Sequence, residues 1–383
     1  MADNRRVVML LAQQVLETHS DSEESSSSED EILIVYGLRK RRDVPRVKNY
    51  REETVRAMLD TDFRSHFRIS RESVEGLGRM IIHDPEFDEA RRLPAFDLFK
   101  EILVTLWLLA TPDSYRSVGD RFDVGKSVVL VFSRRVSCAT AKLSQRLISW
   151  PNLAKMRQTE VDFKRMAGFP GVIGCIDGTH IQIKGPQEYP DVYINRDNYH
   201  SIILQGVVNS RLEFIDCYVG EVGSVHDARV FAKSNLGQTF RSRVLEDFHL
   251  LGDKAYPLHR LLLTPFRDNG HLTRQQVKYN EKLSKTRQTV ERAFGLLKGK
   301  FRRLIKCEMS DTHWIPTLIM ACCVLHNIAR RENRNENEEE FYVPPRKSNS
   351  NPSSNSDSDD DEPARRIPSE GGIQKRIRIM NSL

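Results

Sequence analysis

The sequence predicts an α/β protein in which helices flank a mixed sheet, preceded by an all-helical segment. Two features of the hydrophobic pattern predict this class. Between residues 54 and 157 apolar residues recur at helical spacing, whereas from Gly171 onward short apolar runs of strand length alternate with turn residues. A chain of 383 residues has room for about two or three domains, and an apolar content of 39% suffices for a buried core.

Residues 1–53 are predicted to be a disordered leader. Its acidic tract, Ser20 to Glu31, has too few apolar residues to offset the entropy cost of folding. A basic run follows, which begins at Arg39 to Arg42 and continues through Arg46, Lys48 and Arg51. Such a run is typical of a nuclear-import signal or a phosphate-contacting arm, and a merely solvated charge run remains an alternative.

Residues 54–157 are predicted to be a helical domain. Within it, Tyr115 to Phe122, the turn Asp123 to Gly125, and Lys126 to Cys138 have the lengths and the central glycine of a helix-turn-helix. The second helix, however, carries the apolar run Val128 to Val131, where a DNA-reading helix needs polar side chains. DNA reading and plain bundle packing therefore both stay open. The residues left for DNA contact are Lys126, Ser127, Arg134 and Arg135.

Residues 158–331 are predicted to be the α/β domain. Two of its strands end in a carboxylate: Asp177 follows the apolar run Val172 to Ile176, and Asp253 follows a run that begins at His249. If these strands are parallel neighbours, both acids lie at the same edge of the sheet. Gly178 lets the chain turn after Asp177. Further strands are predicted over Thr179–Ile183, Ser201–Val208 and Glu213–Val222, the last two joined as a hairpin.

A third acid, Glu291, lies on a long helix predicted from about Glu281 to Arg303. It falls beside the buried stripe of that helix, in a row with Gly295. Gly295 and Gly299 each cost about 1 kcal/mol relative to Ala inside a helix. This cost is understandable if another backbone, of protein or nucleic acid, must come close to the row, and packing on the sheet is the other explanation.

A fourth acid, Asp227, is predicted at the start of a helix. Capping of that helix would by itself explain an Asp there, and a supporting role in metal binding is the alternative. Phosphodiester hydrolysis by two Mg²⁺ ions needs carboxylates that hold the metals roughly 3.5 to 4 Å apart, with hard oxygen ligands. Asp177, Asp253 and Glu291 are the candidates for this chemistry.

The charge balance favours a polyanionic partner. Lys and Arg number 59 against 53 Asp and Glu, for a net charge of +6, and acidic serine-rich tracts hold many of the acids. The folded middle is therefore more basic than the total. Beside the helix-turn-helix residues, the predicted DNA-contacting residues are Arg287, Lys298, Lys300, Arg302 and Arg303, on a face that also includes Arg274, Lys278, Lys282 and Lys285.

The remaining segments predict no further chemistry. Residues 332–383 are polar, low in complexity and predicted to be a disordered tail. The six cysteines form no CxxC pair, which favours reduced, intracellular core thiols. Cys322, Cys323 and His326 lack a fourth zinc ligand, so core packing is the better interpretation. The longest apolar run, Ile102 to Ala110, is too short to span a bilayer, and we expect no membrane partner.

Together these motifs resemble the PIF/Harbinger transposase family of the DDE superfamily, which includes transposase-derived nucleases of the host. The similarity runs from about Asp62 to Asn327. Its specific pieces are Gly174–His180, Gly223–Phe231, Leu251–Pro257 and Val290–Lys298.

The resemblance implies an RNase H-like domain with the triad Asp177, Asp253 and Glu291. It implies two Mg²⁺ or Mn²⁺ ions, with Asp227 as a further member of the metal set. It also implies cleavage of double-stranded DNA at terminal inverted repeats, joining of the freed 3′ hydroxyl to target DNA, and a separate Myb-like DNA-binding partner. We expect the protein in the nucleus, with a cytoplasmic pool, and leave open whether it forms a homo-oligomer.

Two other functions share features of this sequence. A phosphatase of haloacid-dehalogenase type also has Asp-Gly-Thr after a strand, but Cys175 stands where its nucleophilic Asp would be. The stronger rival is a domesticated, non-cutting DNA-binding or adaptor protein that works with a Myb-like partner. An intact triad does not exclude it.

Overall fold

The computed structural model describes residues 45–87, 96–245, 247–309, 311–332, 341–344 and 369–383. The acidic tract Ser20 to Glu31, the basic residues Arg39 to Arg42 and the acidic run Asp357 to Glu362 lie outside the described residues.

Helices fill the described chain before the sheet, as predicted. A short π-helix, Tyr50–Val55, comes first, and Ser70, Asp97 and Ser114 then cap three of the helices through their side chains. The α-helices are α1 (Asp60–Phe67), α2 (Arg71–Ile81), α3 (Leu98–Ala110), α4 (Tyr115–Arg121), α5 (Lys126–Lys142), α6 (Ser144–Leu147) and α7 (Leu153–Ala167).

A mixed sheet forms the centre of the fold. Its order is β3-β2-β1-β4-β5, with β6 also paired to β1. β2 lies antiparallel to β1 and β3, whereas β4 and β6 run parallel to β1, and β5 runs parallel to β4. The strands are β1 (Val172–Ile183), β2 (Ser201–Val208), β3 (Phe214–Val222), β4 (His249–Leu251), β5 (Leu262–Leu263) and β6 (Lys306–Cys307).

Asp177 therefore lies inside a strand and not at its end. The sequence predicted two runs separated by Gly178, but β1 continues through this glycine, and Asp177 and Gly178 pair with Gly206 and Gln205 of β2. The predicted turn after Asp177 is wrong, because the antiparallel partner continues the hydrogen-bonded ladder past it. The predicted parallel pairing of the two acid-bearing strands is confirmed.

The two faces of the sheet pack against different groups of helices. Alternate residues of β1 divide between them: Cys175 belongs to the large core that includes α10 and α11, and Ile176 to a smaller core with α8 and α9. The helices of this half are α8 (Asp227–Lys233), α9 (Asn235–Arg243), α10 (Arg274–Lys300), α11 (Ile315–Glu332) and α12 (Glu370–Ser382).

The N-terminal helices share one hydrophobic core with the sheet, so a separate helical domain is not confirmed. The large core runs without interruption from Tyr50 through β1 to α11. Polar bonds cross the predicted boundary as well: Arg303 donates from Nε to the carbonyl of Leu108 at 3.2 Å, and Asn327 donates to the carbonyl of Leu147 at 3.0 Å. The mixed α/β class with a helix-flanked sheet is confirmed.

The α4–α5 pair has the predicted helix-turn-helix lengths but packs as part of the bundle. α5 contacts α3, α4 and α11, and Val129, Phe132 and Val136 are buried along it. Arg135 is buried too, and its Nη1 lies 3.3 Å from Oε1 of the buried Glu101. The packing therefore supports the bundle interpretation, and exposed side chains remain at the ends of α5, at Lys126, Ser127 and Lys142.

Part of the predicted disordered tail is ordered. Ser369 caps α12, and Lys375 of this helix is buried and donates from Nζ to the carbonyl of Phe248 at 2.9 Å. Arg376 lies over the ring of Phe266, 4.1 Å from its centroid. The prediction of disorder is wrong here because α12 buries Ile379 and Lys375 on the body, a tertiary contact that composition does not reveal.

Residues 341–344 pack on the glycine row of α10. Val343 donates its N–H to the carbonyl of Gly295 at 3.2 Å, and an ideal Cβ on Gly295 would lie 2.6 Å from the carbonyl oxygen of Val343. A Cβ on Gly299 would overlap the carbonyl group of Phe341. The predicted close approach of another backbone is confirmed, and that backbone is the chain's own.

α11 is a core helix. Thr312–Glu332 is long and apolar enough to cross a membrane by length and composition alone, but most of it is buried. Cys322, Cys323 and His326 are fully buried on it, and His326 Nε2 lies 2.8 Å from the carbonyl oxygen of Leu212. The core-packing interpretation of these three residues is confirmed.

Candidate active site

Asp177, in β1, lies level with Asp253, which follows the parallel neighbouring strand β4. Cys175 of β1 pairs with Leu251 of β4, and each acid follows two residues later. Asp177 is largely buried, with 16% of its side chain exposed, and its Oδ1 accepts a hydrogen bond from the Gly178 N–H at 2.9 Å. Strand pairing thus brings together two acids that are 76 positions apart in the sequence.

The turn after β4 orients Asp253. Its Oδ1 accepts from the Ala255 N–H at 2.9 Å, and its carbonyl accepts from the Tyr256 N–H at 3.3 Å. Gly252 makes room for this turn, since an ideal Cβ there would meet the Tyr256 ring at 3.1 Å and Ile176 Cγ2 at 3.2 Å. The ring of Tyr256 is buried below the acids.

Asp227 lies against β1 from the other face. The N-cap of α8 is His226, and Asp227 occupies the first helical position without a capping hydrogen bond from its side chain. An ideal Cβ on Gly178 would lie 2.5 Å from Asp227 Oδ1. The structure therefore does not support capping as the explanation for Asp227. Its carboxylate is directed at the strand that carries Asp177.

Glu291 is joined to Asp177 by an arginine. Arg287, one turn earlier on α10, donates from Nη1 to Asp177 Oδ2 at 2.6 Å and from Nη2 to Glu291 Oε1 at 2.5 Å. All three side chains are partly buried, with exposed fractions of 20%, 16% and 33% for Arg287, Asp177 and Glu291. The guanidinium thus lies between two of the three predicted triad members.

Burial and mutual repulsion make two of these acids weaker than usual. Burial raises the pKa of Asp177 to about 7, and Asp253 and Asp227 add to the increase while Arg287 opposes it. Burial also raises the pKa of Asp227 to about 6, with Asp253 again raising it and Arg196 lowering it. These effects show that Asp177, Asp227 and Asp253 lie within electrostatic reach of one another.

The donor chemistry of this acidic cluster fits a divalent metal. Carboxylate oxygens are the ligands that Mg²⁺ and Mn²⁺ prefer, and a bound cation would relieve the mutual repulsion that helps to raise the pKa values of Asp177 and Asp227. Among the described residues, however, no three His, Cys, Asp or Glu side chains are arranged to hold a metal ion. Within this cluster, the guanidinium of Arg287 lies between Asp177 and Glu291 and donates to both.

Several predicted DNA-contacting residues serve the fold instead. Arg135, Lys300 and Arg303 are buried, so their assignment to DNA is wrong. The prediction for these three residues rested on their charge. The sequence pattern does not show which polar groups of other elements lie next to a buried cation. Arg303, for example, donates to backbone carbonyls of Leu108 and Asp113.

The other predicted contacts differ in accessibility. Lys298 donates from Nζ to Thr179 Oγ1 at 2.7 Å and to the carbonyl of His180 at 2.9 Å, which ties α10 to β1 beside the acids. Arg134 pairs with Asp311 at 2.6 Å. Lys126 and Arg302 are exposed and remain predicted DNA contacts.

Sequence reasoning missed Arg196. This exposed residue lies in the loop between β1 and β2, and its Nη2 is 2.7 Å from His226 Nδ1. Its charge lowers the pKa of Asp227. The loop sequence carries no motif that marks Arg196. Only the return of the loop to the start of α8 brings it to the acids, through a hydrogen bond from the Ser224 N–H to the carbonyl of Val192.

Comparison with known families agrees with this geometry. Residues 176–327 match the model of the DDE superfamily endonucleases, and they include all four acids of the cluster. Residues 176–327 form a DDE superfamily endonuclease domain. The predicted resemblance to the Harbinger-derived DDE family is confirmed by this match and by the relatives of the chain.

The relatives of this chain carry two kinds of name. The chain is 29% identical over 244 residues to the protein Antagonist of Like Heterochromatin Protein 1 of Arabidopsis thaliana, which covers 60% of this chain and 61% of the relative. It is 29% identical over 236 residues to the putative nuclease HARBI1 of Rattus norvegicus and 28% identical to that of Homo sapiens, covering 60% of this chain and 66% of each relative. These alignments span less than two thirds of each relative. No solved structure matches the chain.

Proposed function

We propose that this DDE protein is a divalent-metal-dependent DNA nuclease of transposase type, which hydrolyses phosphodiester bonds at the ends of an element. The observation that carries the proposal is the level placement of Asp177, in β1, and Asp253, just after the parallel strand β4, with Asp227 against Gly178 and Arg287 linking Asp177 to Glu291. The strand order, with an antiparallel half and a parallel half, supports the RNase H-like assignment.

The four acids would hold the metal. Asp177, Asp253 and Glu291, with Asp227 as a supporting ligand, provide hard oxygen donors for Mg²⁺ or Mn²⁺. When bound, two such ions activate the attacking oxygen and stabilise the leaving oxygen. The high pKa of Asp177 and Asp227 reflects a cluster whose charge a bound cation would relieve. Gly178 provides the space for Asp227, and a bound cation would compete with Arg287 for the carboxylates of Asp177 and Glu291.

The transposition steps follow from the family and are part of the proposal. They are recognition of terminal inverted repeats in double-stranded DNA, joining of the freed 3′ hydroxyl to target DNA, and cooperation with a Myb-like protein in the nucleus. The bundle packing of α5 and its apolar run Val128 to Val131 support the last of these, since they leave few polar side chains for base reading and a partner would supply that function.

A second candidate function is a non-cutting DNA-binding or adaptor protein. One observation favours it: the chain is as similar to a protein named for its antagonism of a heterochromatin protein as to putative nucleases. Identity at this level therefore does not separate the two activities. The ion pairs of Arg287 with Asp177 and Glu291 are compatible with either.

Cleavage of repeat-bearing DNA by the purified full chain, with and without a Myb-like partner, tests the nuclease. We expect Mg²⁺- or Mn²⁺-dependent cleavage that Asp253→Asn abolishes. Asp268→Asn, a change at an exposed acid in another loop, is the matched control and should cleave normally. Undiminished cleavage by Asp253→Asn, or by the wild type in excess EDTA, would contradict the two-metal proposal. DNA binding without cleavage by the wild type favours the adaptor.

A further inference from the structure

A basic cleft lies outside the acidic cluster, between the β2–β3 turn, the start of α7 and the end of α11. Its volume is about 250 Å³. Four elements from three separate parts of the sequence each contribute one cation to its lining, and one carboxylate accompanies them. The charged residues of the lining are Arg146, Lys155, Arg211, Arg331 and Glu213.

With four cations and one carboxylate, the lining of this cleft keeps a net positive charge. Arg146, Lys155 and Arg211 are exposed and make no ion pair with any described residue. The carboxylate of Glu213 is engaged by Asn209, which donates from Nδ2 to Glu213 Oε2 at 3.0 Å. Gathering like charges in a concave surface concentrates their field, and an anion bound there relieves their repulsion.

The backbone around the cleft is held rigidly. Asn327 of α11 links the hairpin to α6, since it accepts from the Phe214 N–H at 2.8 Å and donates to the carbonyls of Phe214 at 2.7 Å and Leu147 at 3.0 Å. Arg331 donates to the same Leu147 carbonyl at 2.7 Å. A fixed frame lowers the entropy cost of binding a ligand.

The turn that presents Arg211 is also preorganised. Asn209 Oδ1 accepts from the N–H groups of Arg211 at 2.9 Å and Glu213 at 3.0 Å, and Leu212 adopts a left-handed backbone with φ of 63°. Arg330 holds the outer side of the turn through the carbonyl of Arg211 at 3.1 Å. Arg211 thus projects from a turn whose backbone is fixed at three points.

We propose that this basic cleft binds phosphate groups of the DNA backbone, as a second contact beside the catalytic cluster. The inference rests on the proposed nuclease function, which makes DNA the substrate. Gly206 of β2 faces Asp177, and the turn begins three residues further on at Asn209. At about 3.4 Å per residue the turn begins roughly 10 Å from the level of Asp177 along the strand. This equals about three base pairs of duplex, so one DNA segment can contact both.

Anisotropy titrations of fluorescent duplex DNA test the cleft, in EDTA to prevent cleavage. Arg146→Gln/Arg211→Gln should weaken binding about tenfold and lower the slope of log affinity against log salt by about two, because each lost phosphate contact removes about 0.9 from the slope. Arg56→Gln/Arg79→Gln is the matched control, with the same charge change at exposed cations of the N-terminal helices, and should bind nearly as the wild type does.

Equal weakening in the control, or no weakening in the cleft variant, would overturn the proposal. Lys155→Gln is a second variant at an exposed side chain, which should lower the slope by about one without affecting the fold.

A second arm tests free phosphate compounds, with pyrophosphate as the probe in thermal-shift measurements. If the cleft variant loses stabilisation by pyrophosphate but keeps full DNA affinity, the ligand is a small phosphate compound and the DNA assignment fails. Because binding is measured without metal, a failed cleft leaves the nuclease proposal standing. If the nuclease proposal is wrong, the wild-type protein will not cleave DNA in the presence of Mg²⁺.

Discussion

The carboxylate of Asp227 occupies the space that a side chain on Gly178 would need, with Oδ1 only 2.5 Å from an ideal Cβ position. Gly178 is therefore required by an acid that lies on the opposite face of β1 from Arg287. The side chain of Asp177 leaves β1 on one face, and Asp227 approaches β1 on the other face, where Gly178 leaves room for it. This explains why a glycine follows the acid within an unbroken strand.

Gly178→Ala is expected to weaken metal binding. The added methyl group would displace Asp227 from the acidic cluster, and loss of an orienting neighbour typically costs 10- to 100-fold in metal affinity. Calorimetric titration with Mn²⁺ measures the effect. Gly76→Ala is the control, since a Cβ there meets only the end of the Arg79 side chain at 3.9 Å. Unchanged Mn²⁺ affinity in Gly178→Ala would remove Asp227 from the metal set.

Arg287→Gln is expected to tighten Mn²⁺ binding about tenfold, or about 1.4 kcal/mol. The guanidinium and the metal ion compete for the carboxylates of Asp177 and Glu291. The Mn²⁺ affinity of Arg287→Lys should fall between those of the wild type and Arg287→Gln. An ammonium keeps the charge but cannot bridge both acids as a planar guanidinium does. Calorimetry again gives the affinities. Weaker binding by Arg287→Gln would show that Arg287 supports the metal site and does not compete for it.

Asp216 on β3 is expected to make stability depend on pH. Burial raises its pKa to about 6, and Arg243, 3.3 Å away, opposes the shift. An acid with a higher pKa in the folded state binds its proton more tightly there. Its contribution to stability is therefore present below about pH 4, the unfolded value, and is lost as the pH rises to about 6.

Thermal denaturation of Asp216→Asn measures this dependence. The wild type should lose thermal stability relative to Asp216→Asn as the pH rises from about 4 to about 6. The melting temperature of the variant minus that of the wild type should therefore increase over this range and then stay constant. Arg243→Gln should show the opposite sign at neutral pH, because it leaves the buried carboxylate without its cation. A difference between Asp216→Asn and wild type that does not vary with pH would contradict the assignment.

Gly299→Ala is expected to release residues 341–344 from α10. The new Cβ would overlap the carbonyl group of Phe341, and overpacking of this kind costs about 1 to 3 kcal/mol. Hydrogen exchange should show faster exchange of the Val343 amide, which donates to Gly295 in the wild type. The helix itself should gain stability from Ala. Unchanged protection of Val343 would show that the segment tolerates the methyl group.

The sequence predicted the acidic cluster well because each acid is marked by the residues next to it in the chain. An acid that follows a buried apolar run is recognisable in the sequence, and a single assumption, that the two strands are parallel neighbours, is enough to bring Asp177 and Asp253 together. The glycine row of α10 likewise predicted the approach of a backbone. The sequence did not identify that backbone as residues 341–343, because the contact spans about forty positions.

The predictions of DNA contacts from charge were the least reliable. Arg135, Lys300 and Arg303 look like surface cations in sequence, but each is buried, and Arg303 is satisfied by carbonyls of the α3 segment almost two hundred positions away. Arg196 shows the reverse, since it stands beside Asp227 without any sequence motif. Both errors have one physical origin: periodicity reports which face of an element is apolar, but not which polar groups another element presents to it.

The contacts of Gly295, Gly299 and Arg303 also mean that the segment shared with the family cannot be expected to fold without the rest of the chain. The matched segment, residues 176–327, contains all four acids but depends on Phe341 and Val343 beyond its end and on Leu108 and Asp113 before its start. Expressed alone, it would expose the apolar surface that α3 and α5 cover and leave the buried guanidinium of Arg303 unsatisfied. The chemistry of a single domain is thus maintained by nearly the whole described chain.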